Sequence, residues 1–149
     1  MKKETALTLG SLFDGIAGFP LAAQRTGIKT VWISEIEPNC IDISQKHFPD
    51  ALNLGDITGI NGAEIPPVDI ISFGSPCQDL SVAGKQTGLD GSRSGLFMEP
   101  VRIIREMRVE TDGKYPKYII WENVAGAFSS NKGEDFRRVL EEITESNIP

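Results

Sequence analysis

The chain has 149 residues, 40% hydrophobic and 24% charged, which fits one globular domain, and no apolar run approaches the ~20 residues that cross a bilayer. The net charge of −6 argues against a protein that binds nucleic acid unaided, because phosphate contacts require a basic surface. Two cysteines are too few for a disulfide framework, and the N-terminus is a poor secretory signal, so we expect a cytoplasmic protein.

Strand-like and helix-like segments alternate along the chain. Apolar runs predict strands over residues 6–13, 29–36, 51–57, 68–75 and 117–124. Amphipathic spacing predicts helices over 19–27, 37–48, 95–108 and 133–146, the third with Pro100 in its first turn. This order predicts an α/β fold, in which helices cover both faces of a doubly wound, mostly parallel sheet, as one domain over residues 1–149.

A glycine-containing turn closes the first predicted strand. In LFDGIAGF, residues 12–19, Gly15 and Gly18 allow a ligand to approach the backbone and expose amide groups where a helix starts. Glu35 ends the second strand about 20 residues later, where such folds bind ribose hydroxyls, and Asp56 closes the third strand. These positions predict an adenosine-bearing ligand, either NAD or S-adenosylmethionine. The alternative is that the glycines only close a turn.

Cys77 follows the fourth predicted strand directly after Ser-Pro. Cys40, Cys77 and His47 are too few and too unevenly spaced for a structural zinc site. A buried structural cysteine is one alternative, since free cysteines often lie in cores. At a strand exit, however, free amides and solvent access lower a thiol pKa from about 8.5 and favour a nucleophile.

Glu122 ends the fifth predicted strand, in WENV, with Asn123 beside it. Because the strands are expected to be parallel, Glu122 and Cys77 should lie at the same edge of the sheet. A carboxylate that merely caps a strand end is the simpler interpretation of Glu122. Together, however, the two residues suit the addition of a thiolate to an electron-poor ring while an acid engages a ring nitrogen.

Five segments, in this order and at these intervals, resemble the cytosine-5 DNA methyltransferase family: LFDGIAGF, SEIEPN, GDIT, GSPCQDLSVAGKQ and WENV. The resemblance covers roughly residues 7–145 and the amino-terminal catalytic portion of that family. It implies a Rossmann-like methyltransferase fold, incomplete at the C-terminus, that binds S-adenosylmethionine and no metal.

The resemblance also implies roles for individual residues. Residues around the cofactor would be Phe13, Asp14, Gly15, Ile16, Gly18, Glu35, Ile36, Asp56, Ile57, Pro76 and Leu96. Cys77 would attack carbon 6 of a flipped-out cytosine, Glu122 would hydrogen-bond ring nitrogen 3, and carbon 5 would take the methyl group. Pro76, Gln78 and Asn123 would lie beside this pair, and the polar segment that follows would close over the base.

Two small departures from the family are Ala17, where many members have glycine, and Ser11, where many have aspartate. A larger departure is that family members continue into a Gln-x-Arg segment, a target-recognition domain and a closing helix. We therefore expect double-stranded DNA to be bound through such a region or through a complementing C-terminal polypeptide, and this chain alone to methylate poorly or not at all. The alternatives are an inactive cofactor-binding or partner-binding module, an NAD-dependent oxidoreductase, and an RNA-directed cytosine methyltransferase.

Overall fold

The computed structural model describes residues 6–74 and 95–145, in which strands and helices alternate as predicted but with shorter strands. The strands are β1 (Thr8–Leu12), β2 (Lys29–Ser34), β3 (Leu52–Asn53), β4 (Ile70–Phe73) and β5 (Tyr118–Trp121). The helices are α1 (Gly18–Arg25), α2 (Pro38–His47), α3 (Gly95–Glu110) and α4 (Glu134–Glu145). Three 3₁₀ turns, which the sequence did not predict, lie at Ile57–Gly59, Ala125–Phe128 and Ser130–Gly133.

The five strands form one parallel sheet in the order β3-β2-β1-β4-β5. The chain moves outward from the central strand β1 to β3, and then returns to place β4 on the other side of β1. The strand order therefore reverses between β1 and β4, and such a reversal opens a crevice at the carboxyl ends of the strands. The doubly wound α/β prediction is confirmed.

Helices cover the sheet on both faces because alternate side chains of each strand point to opposite sides. On one face, Leu9 and Ile70 pack with Ala23 of α1. The other face holds the main core, to which α3 and α4 also contribute: Leu12, Trp32, Ile57, Ile60, Val68, Ile71, Phe73, Phe97, Val101, Ile103, Ile104, Met107 and Val139. The edge strand β5 is less covered, since Tyr118 and Ile120 are exposed.

The indole of Trp32 requires a glycine at position 10, its partner in the β1–β2 register. Trp32 is fully buried, and its Nε1 donates a hydrogen bond of 2.8 Å to the carbonyl oxygen of Pro66. A Cβ at position 10 would lie 2.1 Å from a ring carbon of Trp32. The centre of the sheet can therefore form only with glycine at this position or with a displaced indole.

Asp69 joins the opposite, amino-terminal ends of three strands. Its Oδ2 accepts hydrogen bonds from the backbone nitrogen and the hydroxyl of Thr8, each 2.9 Å long, and its Oδ1 lies 2.6 Å from Nζ of Lys117. Burial raises the pKa of Asp69, but the hydrogen bonds from Lys117 and Thr8 outweigh it and hold the pKa below its usual range. The carboxylate therefore stays charged and helps to set the register of β1, β4 and β5.

The placement of Pro100 differs from the prediction, because α3 begins at Gly95 and Pro100 lies inside the helix, in its second turn. A proline there removes one helical hydrogen bond and costs about 3 kcal/mol in an exposed helix. The surrounding face of α3, with Phe97, Val101 and Ile104, is buried in the main core, and this burial offsets that cost. None of the helices in the described residues is long and apolar enough to cross a membrane.

Candidate active site

The turn after β1 is built from alternate left-handed residues. Phe13, Gly15 and Ala17 have φ angles of 54°, 60° and 68°. Gly15 adopts this conformation freely, whereas Phe13 and Ala17 do so at a conformational cost of about 1 kcal/mol each. The backbone nitrogen of Asp14 donates a hydrogen bond of 3.1 Å to the carbonyl oxygen of Ser34, which holds the turn against the end of β2. This hydrogen bond to β2 therefore helps to hold the strained backbone of the turn in place.

Glu35 connects this turn to the start of α2. Its Oε2 accepts a hydrogen bond of 2.7 Å from the backbone nitrogen of Gly15. Its Oε1 accepts hydrogen bonds from the backbone nitrogens of Ile36, at 2.8 Å, and Glu37, at 2.9 Å. Each carboxylate oxygen has two acceptor positions, so Oε2 can still accept a hydrogen bond from a ligand hydroxyl. Glu35 is thus rigidly placed between the ends of β1 and β2.

Asn53, which the sequence reasoning missed, holds the backbone around Glu35. Its Oδ1 accepts hydrogen bonds from the backbone nitrogens of Glu35, at 3.3 Å, and Gly55, at 3.1 Å. Its Nδ2 donates a hydrogen bond of 3.3 Å to the carbonyl oxygen of Glu35. The bond to Gly55 forms an Asx turn, and the Asn-Leu-Gly sequence inside the third predicted strand is the signal that could have identified it.

Asp56 caps the 3₁₀ turn that follows β3. Its Oδ1 accepts hydrogen bonds from the backbone nitrogen of Thr58, at 2.9 Å, and from its hydroxyl, at 2.8 Å. These bonds hold the pKa of Asp56 below its usual range, so the exposed side chain is a carboxylate. Both bonds use Oδ1, and a ligand donor can approach Oδ2. Ile57, the next residue, is buried in the main core and anchors the turn.

Two large apolar side chains lie next in sequence to the residues that form the hydrogen bond between Gly15 and Glu35, because Ile16 follows Gly15 and Ile36 follows Glu35, and both face solvent. Ile16 is 67% exposed and Ile36 is 68% exposed. Phe13 and Leu96, the latter in the first turn of α3, are partly buried against the main core. A Cβ at Gly18 would have no atom within 4 Å, so space is open at the start of α1. Such exposed apolar side chains beside fixed polar groups are typical of a ligand site.

Asp14 is a buried residue of this turn. Its side chain is buried, and its Oδ2 accepts a hydrogen bond of 3.1 Å from the hydroxyl of Ser44 in α2. The described residues give its Oδ1 no hydrogen-bond partner. Burial raises the pKa of Asp14 and the negative charge of Glu35 acts in the same direction, whereas the nearby hydroxyls of Ser11 and Ser44 oppose this rise.

The Asp14→Asn substitution is expected to change how stability depends on pH. Because the folded-state pKa lies above the ordinary value of 3.8, the folded state binds the proton more readily than the unfolded chain. The stability of the native protein should therefore rise, relative to that of the variant, as the pH falls through the folded-state pKa towards 3.8.

Urea denaturation from pH 8 to pH 4 measures this difference. Asp42→Asn removes an exposed carboxylate of α2 and serves as the matched control. Its stability should stay parallel to that of the native protein over the whole pH range. A difference between Asp14→Asn and the native protein that does not change with pH would contradict the assignment.

Glu122 follows β5 and lies against the end of β4. A Cβ at Gly74 would be 2.8 Å from Oε2 of Glu122, and the backbone nitrogen of Glu122 donates a hydrogen bond of 2.9 Å to the carbonyl oxygen of Phe73. The side chain of Glu122 is exposed, whereas that of Asn123 is partly buried. Oδ1 of Asn123 accepts a hydrogen bond of 2.8 Å from the backbone nitrogen of Val124 and so turns the chain away from the strand.

Cys40 is a half-buried residue of α2. Burial and the negative charges of Glu35 and Glu37 raise the pKa of its thiol, which makes it a poor nucleophile. In residues 6–74 and 95–145 no three His, Cys, Asp or Glu side chains are grouped to bind a metal ion. The remaining predicted site residues lie outside the described residues: Pro76, Cys77 and Gln78.

The chain is similar in sequence and fold to known proteins. A family model for the C-5 cytosine-specific DNA methylases matches residues 7–147. The chain is 35% identical over 144 residues to the Type II methyltransferase M.HhaI of Haemophilus parahaemolyticus, covering 97% of the chain and 42% of that protein. It is 32% identical over 143 residues to the orphan methyltransferase M.SPRI of Bacillus phage SPR, covering 93% of the chain and 31% of that protein.

The fold is also that of the S. pombe Dnmt2 methyltransferase, with a TM-score of 0.65 and 22% identity over 91% of this chain and 41% of that chain. The chain spans less than half the length of each of these relatives. The family model nevertheless covers nearly all of it. The resemblance inferred from the sequence is therefore confirmed, and the chain belongs to the C-5 cytosine-specific DNA methylase family.

Proposed function

We propose that this chain is the amino-terminal catalytic portion of an enzyme that transfers a methyl group from S-adenosylmethionine to carbon 5 of cytosine in DNA. The observation that carries the proposal is the position of Glu122 in a chain of this family. Its carboxylate lies against Gly74, three residues before Cys77, at the same edge of the sheet as the turn after β1. Cys77 itself lies outside the described residues, and we assign its thiol to the same crevice as Glu122 and the adenosine site.

The residues along this edge fit S-adenosylmethionine. Oε2 of Glu35 retains an acceptor position for a ribose hydroxyl, and Asp56 presents a carboxylate to an adenine amino group. The exposed side chains of Ile16 and Ile36 offer apolar cover to a flat ring system. Phe13, Gly15, Gly18, Ile57, Pro76 and Leu96 complete the proposed contacts. Asp14 joins the turn to α2 through its hydrogen bond with Ser44. Bound there, S-adenosylmethionine supplies the methyl group.

Cys77 and Glu122 act together on the cytosine ring in the proposed mechanism. The sulfur of Cys77 forms a bond to carbon 6, and Glu122 hydrogen-bonds ring nitrogen 3, which stabilises the charge that the attack places on the ring. Carbon 5 thereby becomes nucleophilic. Carbon 5 takes the methyl group and S-adenosylhomocysteine is the leaving group. Loss of the proton on carbon 5 to water then restores the double bond between carbons 5 and 6 and expels the Cys77 sulfur as a thiolate. Pro76, Gln78 and Asn123 flank the two groups and position them.

DNA must present the cytosine outside the helix, because carbons 5 and 6 cannot be reached by a side chain within a stacked base pair. A chain with net charge −6 is poorly suited to bind the duplex by itself. We therefore assign DNA binding to a target-recognition region or a complementing C-terminal polypeptide. The residues that follow Gln78 lie outside the described part of the chain, and we assign to them the closure over the flipped base that the family resemblance implies. This chain alone should turn over slowly or not at all.

Calorimetric titration of the chain with S-adenosylmethionine and with NAD tests the cofactor assignment. We expect S-adenosylmethionine to bind at least tenfold more tightly than NAD. Glu35→Ala should weaken its binding by at least about tenfold, because a hydrogen bond to a charged acceptor is lost and the turn loses its anchor. Glu37→Ala, which removes a neighbouring carboxylate at the start of α2, is the control and should bind normally.

Transfer of a labelled methyl group tests the reaction. The chain is incubated with labelled cofactor and cytosine-containing duplex DNA, alone and with a polypeptide that supplies the C-terminal portion of a relative. Label should appear as 5-methylcytosine in DNA and not in an RNA of the same sequence. Tighter binding of NAD, or label in RNA only, would overturn the proposal, and rapid transfer by the chain alone would overturn the assigned need for a second portion.

A further inference from the structure

Arg102 of α3 makes hydrogen bonds to a different part of the chain, the turn after β3. Its Nη1 donates a hydrogen bond of 2.7 Å to the carbonyl oxygen of Ile60, and its Nη2 donates one of 3.2 Å to that of Ile57. Two carboxylates of α3 hold the guanidinium in place, Glu99 at 2.6 Å and Glu106 at 2.9 Å. The planar guanidinium thus receives a fixed orientation from its own helix and presents its remaining donors to the turn.

The carbonyls that Arg102 binds belong to residues 56–62, which we call the adenine-end segment. Asp56 opens this segment, and its carboxylate is oriented by Thr58. The segment is joined to α3 a second time, because the backbone nitrogen of Gly62 donates a hydrogen bond of 2.6 Å to Oε2 of Glu106. A Cβ at Gly62 would lie 2.2 Å from the carbonyl oxygen of Ile103, so the backbones approach closely there.

We propose that Arg102 is a positioning residue that sets the distance of Asp56 from the adenine ring and thereby the preference for adenine over other purines. This inference rests on the proposed function, since it requires an adenosine ligand at this edge. Burial of Ile57 and the hydrogen bonds of Ile60 and Gly62 to α3 hold this segment in place after Asp56, which is the exposed residue at its start. A guanidinium that bridges two carbonyls restricts the segment more than a single hydrogen bond does.

Arg137 of α4 provides a matched control within the same chain. It forms the same two ion pairs along its helix, with Glu134 three residues before it and Glu141 four residues after it. In the described part of the chain its guanidinium hydrogen bonds are made to these two carboxylates. Substitution of Arg137 therefore removes an equivalent helical ion-pair network without affecting the adenine-end segment.

The test is calorimetric titration of the intact chain with S-adenosylmethionine and with its analogue that carries hypoxanthine in place of adenine. The analogue replaces the amino donor at carbon 6 by a carbonyl oxygen, so Asp56 cannot accept a hydrogen bond from that position. In Arg102→Ala we expect about tenfold weaker binding of S-adenosylmethionine and a smaller loss for the analogue, which lowers the preference ratio roughly fivefold. Arg102→Lys should fall between, and Arg137→Ala should keep the native ratio.

Amide hydrogen exchange without ligand provides a second readout. Arg102→Ala should accelerate exchange in residues 57–62 at least severalfold and leave β1 and β4 unchanged. Equal losses for both ligands, or unchanged exchange in this segment, would overturn the positioning role alone. Failure of the native chain to bind S-adenosylmethionine would instead overturn the proposed function and, with it, the role of Arg102.

Discussion

Replacing Cys77 by alanine is expected to reduce methyl transfer to cytosine by about a thousandfold or more, because the proposed mechanism then loses the group that bonds to carbon 6. The measurement is single-turnover transfer of labelled methyl groups to DNA, in a preparation that contains the C-terminal portion our proposal requires. Cys40→Ala is the matched control, since Cys40 is half-buried and its raised thiol pKa makes it unreactive. Its transfer rate should equal that of the native protein.

A covalent adduct provides a direct check. With DNA in which fluorine replaces hydrogen at carbon 5 of the target cytosine, no proton can be lost after methylation, and the sulfur should remain bound to carbon 6. A complex that survives denaturing electrophoresis should form with the native protein and with Cys40→Ala, but not with Cys77→Ala. Normal transfer by Cys77→Ala, or an adduct formed by that variant, would show that the nucleophile is assigned wrongly.

Gly10→Ala should have the largest effect on stability of any single methyl group added to the sheet. The new Cβ would lie 2.1 Å from the ring of Trp32, whose indole is fully buried and hydrogen-bonded to Pro66. Overpacking of a rigid core costs about 3 kcal/mol. That is a large share of the 5–15 kcal/mol by which native proteins are stable, and it should lower the Tm by ~10 °C.

Thermal and urea unfolding of Gly10→Ala measure this loss. Gly59→Ala adds the same methyl group where a Cβ would have no atom within 4 Å, and its Tm should change little. A second substitution, Trp32→Leu, makes room for the methyl group, so the double variant should be more stable than the sum of the two single losses predicts. A native Tm for Gly10→Ala would contradict the close packing described for β1 and β2.

The order of strands and helices was predictable because apolar runs and amphipathic spacing are local signals. Their ends were not. The predicted third strand over 51–57 is reduced to Leu52–Asn53, because Gly55 takes a positive φ and a 3₁₀ turn begins at Ile57. Pro100 was placed wrongly because its tolerance depends on burial of α3, which the local pattern does not reveal.

Site residues were predictable where a chemically distinctive side chain stands at the end of a predicted strand. Glu35 and Glu122 lie where the alternation of strands and helices predicted. Arg102 was missed because it binds backbone carbonyls that are distant from it in sequence. Asn53 was missed because it acts through a local turn that an ordinary loop also forms. The catalytic roles of Cys77 and Glu122 and the cofactor contacts stay predictions that the experiments above address.

The central position of β1 has a consequence for how the protein forms during synthesis. Within β1, Leu9 pairs with Thr30 of β2 soon after both are made, but its partner in β4, Ile70, is made only 61 positions after Leu9. Long-range pairing of this kind is slow to form, and strand edges left open in the meantime favour aggregation. A nascent chain therefore has one side of the crevice at the ends of β1 and β2 before β4, which forms the other side, has been made. A ligand that binds in this crevice can stabilise the folded protein, but it cannot assist the folding steps that come before β4 pairs with β1.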